Sequence, residues 1–268
     1  MAENPLHELP TALIALMLVC ALLLALFASN ALGRRTATRQ PKQLELGPLE
    51  TMASGLLGLL LAFNFSIAQS RFDARQEMLV READAIGTAY LRCSVLAEDD
   101  RRSCREKFRQ YVALRIETYA VYKSGARNTD ELRRKLDEGE HLQHQLWTIV
   151  AGAVRQSPDP PHTALMTALN SVIDLDSDRR ASLRIQVPII VSVVIALSCI
   201  AWAVLLGYSS GLNGSGSRTA WVVVSVLISL VFGVAMDFDR PRSGFITTSA
   251  AEVAMTNVAN SINMPPVD

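Results

Sequence analysis

The segment TMASGLLGLLLAFNFSIAQS, Thr51–Ser70, decides the fold. It carries no formal charge, and it matches the roughly 20 apolar residues of helix that cross a hydrocarbon core about 30 Å thick. Three further stretches have the same character: Pro10 to Leu32, Ile185 to Gly207 and Thr219 to Met236. Within the first quoted stretch, Gly58, Ala62 and Ser66 recur every four residues, a spacing that lets a neighbouring helix approach closely. Asn64, Ser66 and Gln69 are polar at membrane depth, which is costly unless they face protein or water. Four such stretches predict an all-α integral membrane protein. They narrow the function to transport, sensing or scaffolding and exclude soluble enzymology.

The chain has 268 residues, 26 basic and 26 acidic, so its net charge offers no general attraction for nucleic acid. Of these, 19 basic and 18 acidic residues lie between Arg71 and Gln186. That segment reads as a water-soluble helical insert between the second and third spans. Helix-period apolar positions fit 71–96, 101–123 and 129–156, with a turn at Glu98-Asp99-Asp100 and a break at Pro158 to Pro161. A further helix from about 163 ends near Asp174 or leads into the third span. The expected organisation is a first transmembrane hairpin (1–70), a helical extramembrane domain (71–184), a second hairpin (185–236) and a tail (237–268). The first span lacks a basic leader, since Glu3, His7 and Glu8 precede it, and is too long for a signal peptide. It reads as a retained membrane helix, and the protein as a multi-pass protein of the plasma (inner) membrane.

Two segments resemble a known family. FNFSIAQSRFDAR (Phe63–Arg75) with Glu82 to Ile86 is one, and DFDRPRSG (Asp237–Gly244) directly after the last span is the other. With Leu146-Trp147 and Leu169-Asn170 they are similar to the prokaryotic bestrophin-like domain family, whose function is unassigned, and more remotely to the bestrophins. Bestrophins are pentameric anion channels whose second membrane helix carries an apolar neck and then an Arg-aromatic pair. Phe63 followed by Arg71-Phe72 resembles that pattern. The resemblance implies a homo-oligomer, a pentamer by analogy, that passes small inorganic anions such as chloride, with Leu59 and Phe63 lining the neck. Gly55 falls where another bulky neck residue is expected. Two carboxylates after the last span are too few for a calcium clasp of the animal type.

Each candidate residue has a plainer alternative. Leu59 and Phe63, one turn apart, either form a constriction that gates by dewetting or pack as ordinary helix. Asn64 and Ser66 line a hydrated path or bond across helices. Arg71 and Arg75 build an electropositive vestibule, or anchor the helix and pair with Asp73, Glu77 or Asp237. Asp237 and Asp239 end the fourth span and pair with nearby arginines; two side chains do not make a hard-cation site. Asp174 to Asp178 opens like a calcium loop but has Arg179 where glycine is needed, so helix capping is its expected role. His141 and His144 lack a fixed third ligand. No metal, no cofactor and no enzymatic motif is expected.

Cys93 and Cys104 flank the Glu98-Asp99 turn symmetrically. They either form a disulfide, which implies an oxidising compartment, or remain thiols. The 34–50 connector holds Arg34, Arg35, Arg39 and Lys42, whereas the N-terminal tail has no basic residue, which leans toward a periplasmic insert. The bestrophin resemblance implies the opposite orientation. The leading reading is an oligomeric anion channel with the second span lining the pore. The alternative is a non-conducting sensor or scaffold whose insert binds a ligand or partner.

Overall fold

The computed structural model describes residues 10–39, 46–123, 130–182, 189–239 and 249–263. Among the described residues every regular element is helical: α1 (Thr11–Arg39), α2 (Gly47–Arg92), a 3-10 turn (Cys93–Val95), α3 (Glu98–Lys123), α4 (Asp130–Gln156), α5 (Pro160–Ser182), α6 (Ile189–Leu212), α7 (Arg218–Asp239) and α8 (Ser249–Asn263). Four of them, α1, α2, α6 and α7, are long and apolar enough to cross a membrane. The chain is an all-α integral membrane protein that divides into two compact units, 1–72 with 186–246 and 73–185 with 247–268.

In the membrane unit, α1 packs chiefly against α6 and then against α7. Lipid supplies no hydrophobic drive between helices, so close backbone approach must provide the attraction. Ala203, Gly207 and Gly211 form a small-residue seam on α6, facing Ser29, Asn30 and Gly33 of α1. A Cβ on Gly207 would collide with the Ser29 hydroxyl and the Leu26 carbonyl, and one on Gly211 with the Asn30 carbonyl. Asn30 Nδ2 donates to the Gly207 carbonyl at 3.4 Å across this seam. A second seam on α7, Ser225, Ser229 and Gly233, repeats the four-residue spacing. Both serines are fully buried, and Gly233 lies against Ala15 of α1. Toward its N-terminus the same stripe of α1 buries Ile14, Leu18, Leu22 and Leu26, again one residue per turn. The α6–α7 loop turns through Gly214 at φ +63° and Gly216 at φ +138°, conformations that L side chains rarely adopt. Ser217 then caps α7 by accepting from the Ala220 amide at 3.4 Å.

The helical unit has its own core. Ile86, Ala89 and Cys93 of the second half of α2 and the turn after it meet Cys104, Phe108, Tyr111 and Val112 of α3 and Leu146 and Val150 of α4. Leu165, Leu169 and Val172 of α5 complete it. The three acidic residues Glu98, Asp99 and Asp100 occupy the first turn of α3, where the helix dipole favours negative charge. Asp159 caps α5, accepting from the His162 amide at 3.0 Å, and Pro160 follows at the first helical position. Those bonds from the His162 backbone and ring hold the Asp159 carboxyl below its ordinary pKa.

Two expectations change. The C-terminal tail is not a separate segment: α8 packs on α3, and Met255 and Ile262 join the helical core. The Tyr90 hydroxyl donates to the Ile262 carbonyl at 3.0 Å and accepts from Arg109 Nη2 at 3.2 Å. Nor do Asp174 to Asp178 cap a helix. They lie inside α5, which runs on to Ser182, and Asp176 is buried because it is one turn beyond Val172 on the core face.

Candidate pore-lining helix and a buried charge cluster

At about 100° per residue, Met52, Leu56, Leu59, Phe63, Ser66 and Ser70 fall on one face of α2. That face is open within the subunit: Leu59 is 52% exposed and Phe63 59%, and Ser66 and Ser70 are exposed as well. The adjoining strip of Gly55, Gly58 and Ala62 is also unpartnered, since a Cβ on either glycine would meet nothing within 4 Å, and Ala62 and Gln69 are exposed. The opposite side of α2 is the packed one. Leu57, Leu61 and Ala68 are buried there, Trp202 Nε1 of α6 donates to Ser54 Oγ at 2.8 Å, and Phe65 and Phe72 both lie on Phe238 of α7, with ring centroids 5.6 and 5.2 Å away.

Leu59, Phe63 and Ser66 are therefore brought together, and Asn64 is not. One residue on from Phe63, it is turned toward the packed side and is half-buried. The charged candidates separate in the same way. Arg71 is half-buried and one of its terminal guanidinium nitrogens is buried without a hydrogen-bond partner, whereas Arg75 is only 7% exposed. Asp237 is buried and accepts from the Thr11 hydroxyl of α1 at 3.0 Å. Asp239 closes α7, and its side chain lies outside the described residues. Cys93 and Cys104 are paired as a disulfide with Cα atoms 6.1 Å apart, both fully buried. Among the described residues no group of three or more His, Cys, Asp and Glu could hold a metal ion; His141 lies exposed against Gln145.

A second constellation escaped the sequence reading. Glu82 of α2 is fully buried. It accepts a bidentate pair from Arg115 of α3, at 2.8 and 3.0 Å, and Arg179 Nε of α5 approaches it at 3.1 Å. Asp176, next in the cluster, accepts from Arg179 at 2.6 Å, from Arg180 at 2.7 Å and from Gln143 Nε2 at 3.1 Å. Gln143 also donates to the Tyr111 hydroxyl at 3.0 Å. Burial pushes the Asp176 carboxyl up, but Arg115, Arg179 and Arg180 outweigh it and hold the group at about 2. Burial likewise raises the Tyr111 phenol, against the pull of Arg115. The signal was present as phase. Glu82 is one turn before Ile86, Arg115 one turn beyond Tyr111 and Asp176 one turn beyond Val172, each a charge on the apolar face of its helix.

A family model for the Bestrophin-like domain matches residues 15–253. Among solved structures, the bacterial bestrophin homologue of Klebsiella pneumoniae, phased on zinc, is 16% identical, with a TM-score of 0.64 over 95% of this chain and 99% of its own. A tyrosine-to-alanine variant of that homologue gives 16% identity and a TM-score of 0.65 over 92% and 98%. A tryptophan-to-alanine variant gives 16% and 0.66 over 93% and 98%. At that identity the likeness concerns the fold. No curated protein sequence matches.

Proposed function

Because the chain belongs to the Bestrophin-like family, we propose that it assembles as a ring of subunits, five by resemblance to bestrophins, and passes small anions along a path lined by α2. The carrying observation is the open face of α2, which a single subunit leaves without a partner. Lipid could cover Met52, Leu56, Leu59 and Phe63, but not Ser66, Gln69 and Ser70 on the same side, whose polar groups need protein or water. The two adjoining strips suit a ring. Gly55, Gly58 and Ala62 admit the neighbouring subunit's helix closely, and Leu59 and Phe63 then face the axis as an apolar constriction, with the positive ring edges of Phe63 toward a passing anion. Arg71, just beyond, supplies positive charge near the end of that path. Arg75 is buried and contributes less to an open vestibule.

The helical unit is placed in the periplasm on this reading. A disulfide between Cys93 and Cys104 persists in an oxidising compartment, and the four basic residues of the 34–50 connector favour that connector on the cytoplasmic side.

Phe63→Cys, on a background with Cys20→Ala and Cys199→Ala, tests the assembly. An axial position predicts disulfide-linked subunit pairs under mild oxidation, and Leu61→Cys on the packed side predicts none. Equal cross-linking at both positions, or a solely monomeric mass in detergent, would end the ring reading. Maleimide–polyethylene glycol added to whole cells tests the orientation: cysteine placed at Arg102 reacts from outside if the helical unit is periplasmic, and only after lysis if it is cytoplasmic.

A further inference from the structure

The charge cluster opens into a cavity of about 360 Å³ between α4 and α5, lined by Glu140, Gln143, Trp147, Ile173, Asp176 and Arg180 among others. Its volume is at the lower end of small-molecule sites, which run about 300–1,000 Å³. The charges around it are unevenly held. Glu82 and Asp176 face three guanidinium groups, those of Arg115, Arg179 and Arg180, so this inner set carries one positive charge in excess. The balancing group is Glu140, which reaches Arg180 Nη1 at 2.5 Å from a side chain 57% exposed. Arg180 Nε is buried with no hydrogen-bond partner. An ion pair to a side chain this exposed is weak, so Glu140 is a replaceable counter-ion. The indole of Trp147 and the half-buried Ile173 give the cavity an apolar wall beside that charge.

We propose that this cavity binds a small organic monoanion, a carboxylate with an aromatic or branched aliphatic body, whose carboxylate replaces Glu140 on Arg180 while its body rests on Trp147 and Ile173. A cationic ligand is disfavoured, because Asp176 already accepts from Arg179, Arg180 and Gln143, and Glu140 is already engaged by Arg180. A second negative charge would find no second guanidinium with an exchangeable partner, since Arg115 and Arg179 are held by Glu82 and Asp176. The site is independent of the pore reading: it lies wholly within the helical unit, and its occupancy does not require conduction.

The test is calorimetric titration of the full chain in detergent with benzoate, with benzamide as the neutral isostere and benzylamine as the cation. Benzoate binds the wild type and benzamide binds at least about tenfold more weakly, the loss of a charge-assisted bond. Glu140→Gln tightens benzoate about two- to fivefold, the equivalent of removing a competing exposed ion pair. Trp147→Leu weakens it. Because Glu140 is exposed, its variant stays folded, and the inference does not depend on Arg180→Gln surviving. Benzoate binding to neither wild type nor Glu140→Gln, weaker binding by Glu140→Gln, or tighter binding of benzylamine than benzoate would overturn the assignment.

Discussion

Glu82→Gln removes one charge from the centre of the helical unit while keeping side-chain volume. In the wild type that carboxylate is fully buried and answers two guanidinium groups, Arg115 in a bidentate pair and Arg179 at 3.1 Å. An amide can accept from one of them through its oxygen, but it presents its NH2 to the other and leaves the inner set with a further unbalanced positive charge. Breaking a buried pair by removing one partner costs about 3–5 kcal/mol. For a unit of about 135 residues, that corresponds to a melting temperature lower by roughly 10–20 °C. Glu140→Gln is the matched control. It removes the same chemical group at the exposed edge of the same cluster, where the pair is worth about 0–1 kcal/mol, so the shift is no more than about 4 °C. Thermal unfolding in detergent, read from Trp147 on a background with Trp202→Phe and Trp221→Phe, separates the two. A Glu82→Gln protein melting within 2 °C of the wild type, or a Glu140→Gln protein that falls as far as Glu82→Gln, would refute the assignment of burial and bonding to Glu82.

Four further outcomes are expected. Asp176 sits at about 2 in the folded protein, below the ordinary aspartate range, so its contribution is complete above about pH 4 and is lost as pH falls toward 2. It amounts to roughly 2 kcal/mol, and the gap in melting temperature between wild type and Asp176→Asn should close across that window. Cys93→Ala with Cys104→Ala opens a loop of sequence separation 11, at a cost of about 3 kcal/mol by loop entropy; equal melting of wild type and double variant would show that the pair carries no such constraint. Gly207→Ala drives a methyl into Ser29 and the Leu26 carbonyl and should cost about 1–3 kcal/mol in the folding of the membrane unit. Gly58→Ala meets nothing within the subunit, leaves that stability unchanged and weakens the oligomer, which the detergent-resistance of folding and of assembly would report separately.

What was legible in the sequence follows from how strongly physics constrains each feature. A bilayer demands about 20 apolar residues at a time, and the four stretches show it without any partner being known. The continuation of α2 past Ser70 was readable too, because no glycine or proline interrupts it before Gly87. The face of α2 was readable only in part. Leu59 and Phe63 share a face by spacing, but Asn64, adjacent to Phe63, lies about 100° round the helix and so could not join them. The charge cluster draws on Glu82, Arg115, Gln143 and the pair of Asp176 and Arg179, groups far apart in the chain whose meeting depends on how four helices pack. Glu82, Arg115 and Asp176 announced themselves only as charges in the apolar phase of their own helices. The docking of α8 on α3 left no local mark, since its weakly amphipathic pattern fits a free tail as well as a packed helix.

Chloride flux into liposomes holding the purified protein, measured beside Phe63→Ala, tests the central claim most directly. The account predicts flux in the wild type and a raised flux or altered anion selectivity in Phe63→Ala, with assembly intact. No flux from well-folded wild-type oligomers would contradict the channel reading, and wild-type flux that Phe63→Ala leaves unchanged would remove Phe63 from the constriction.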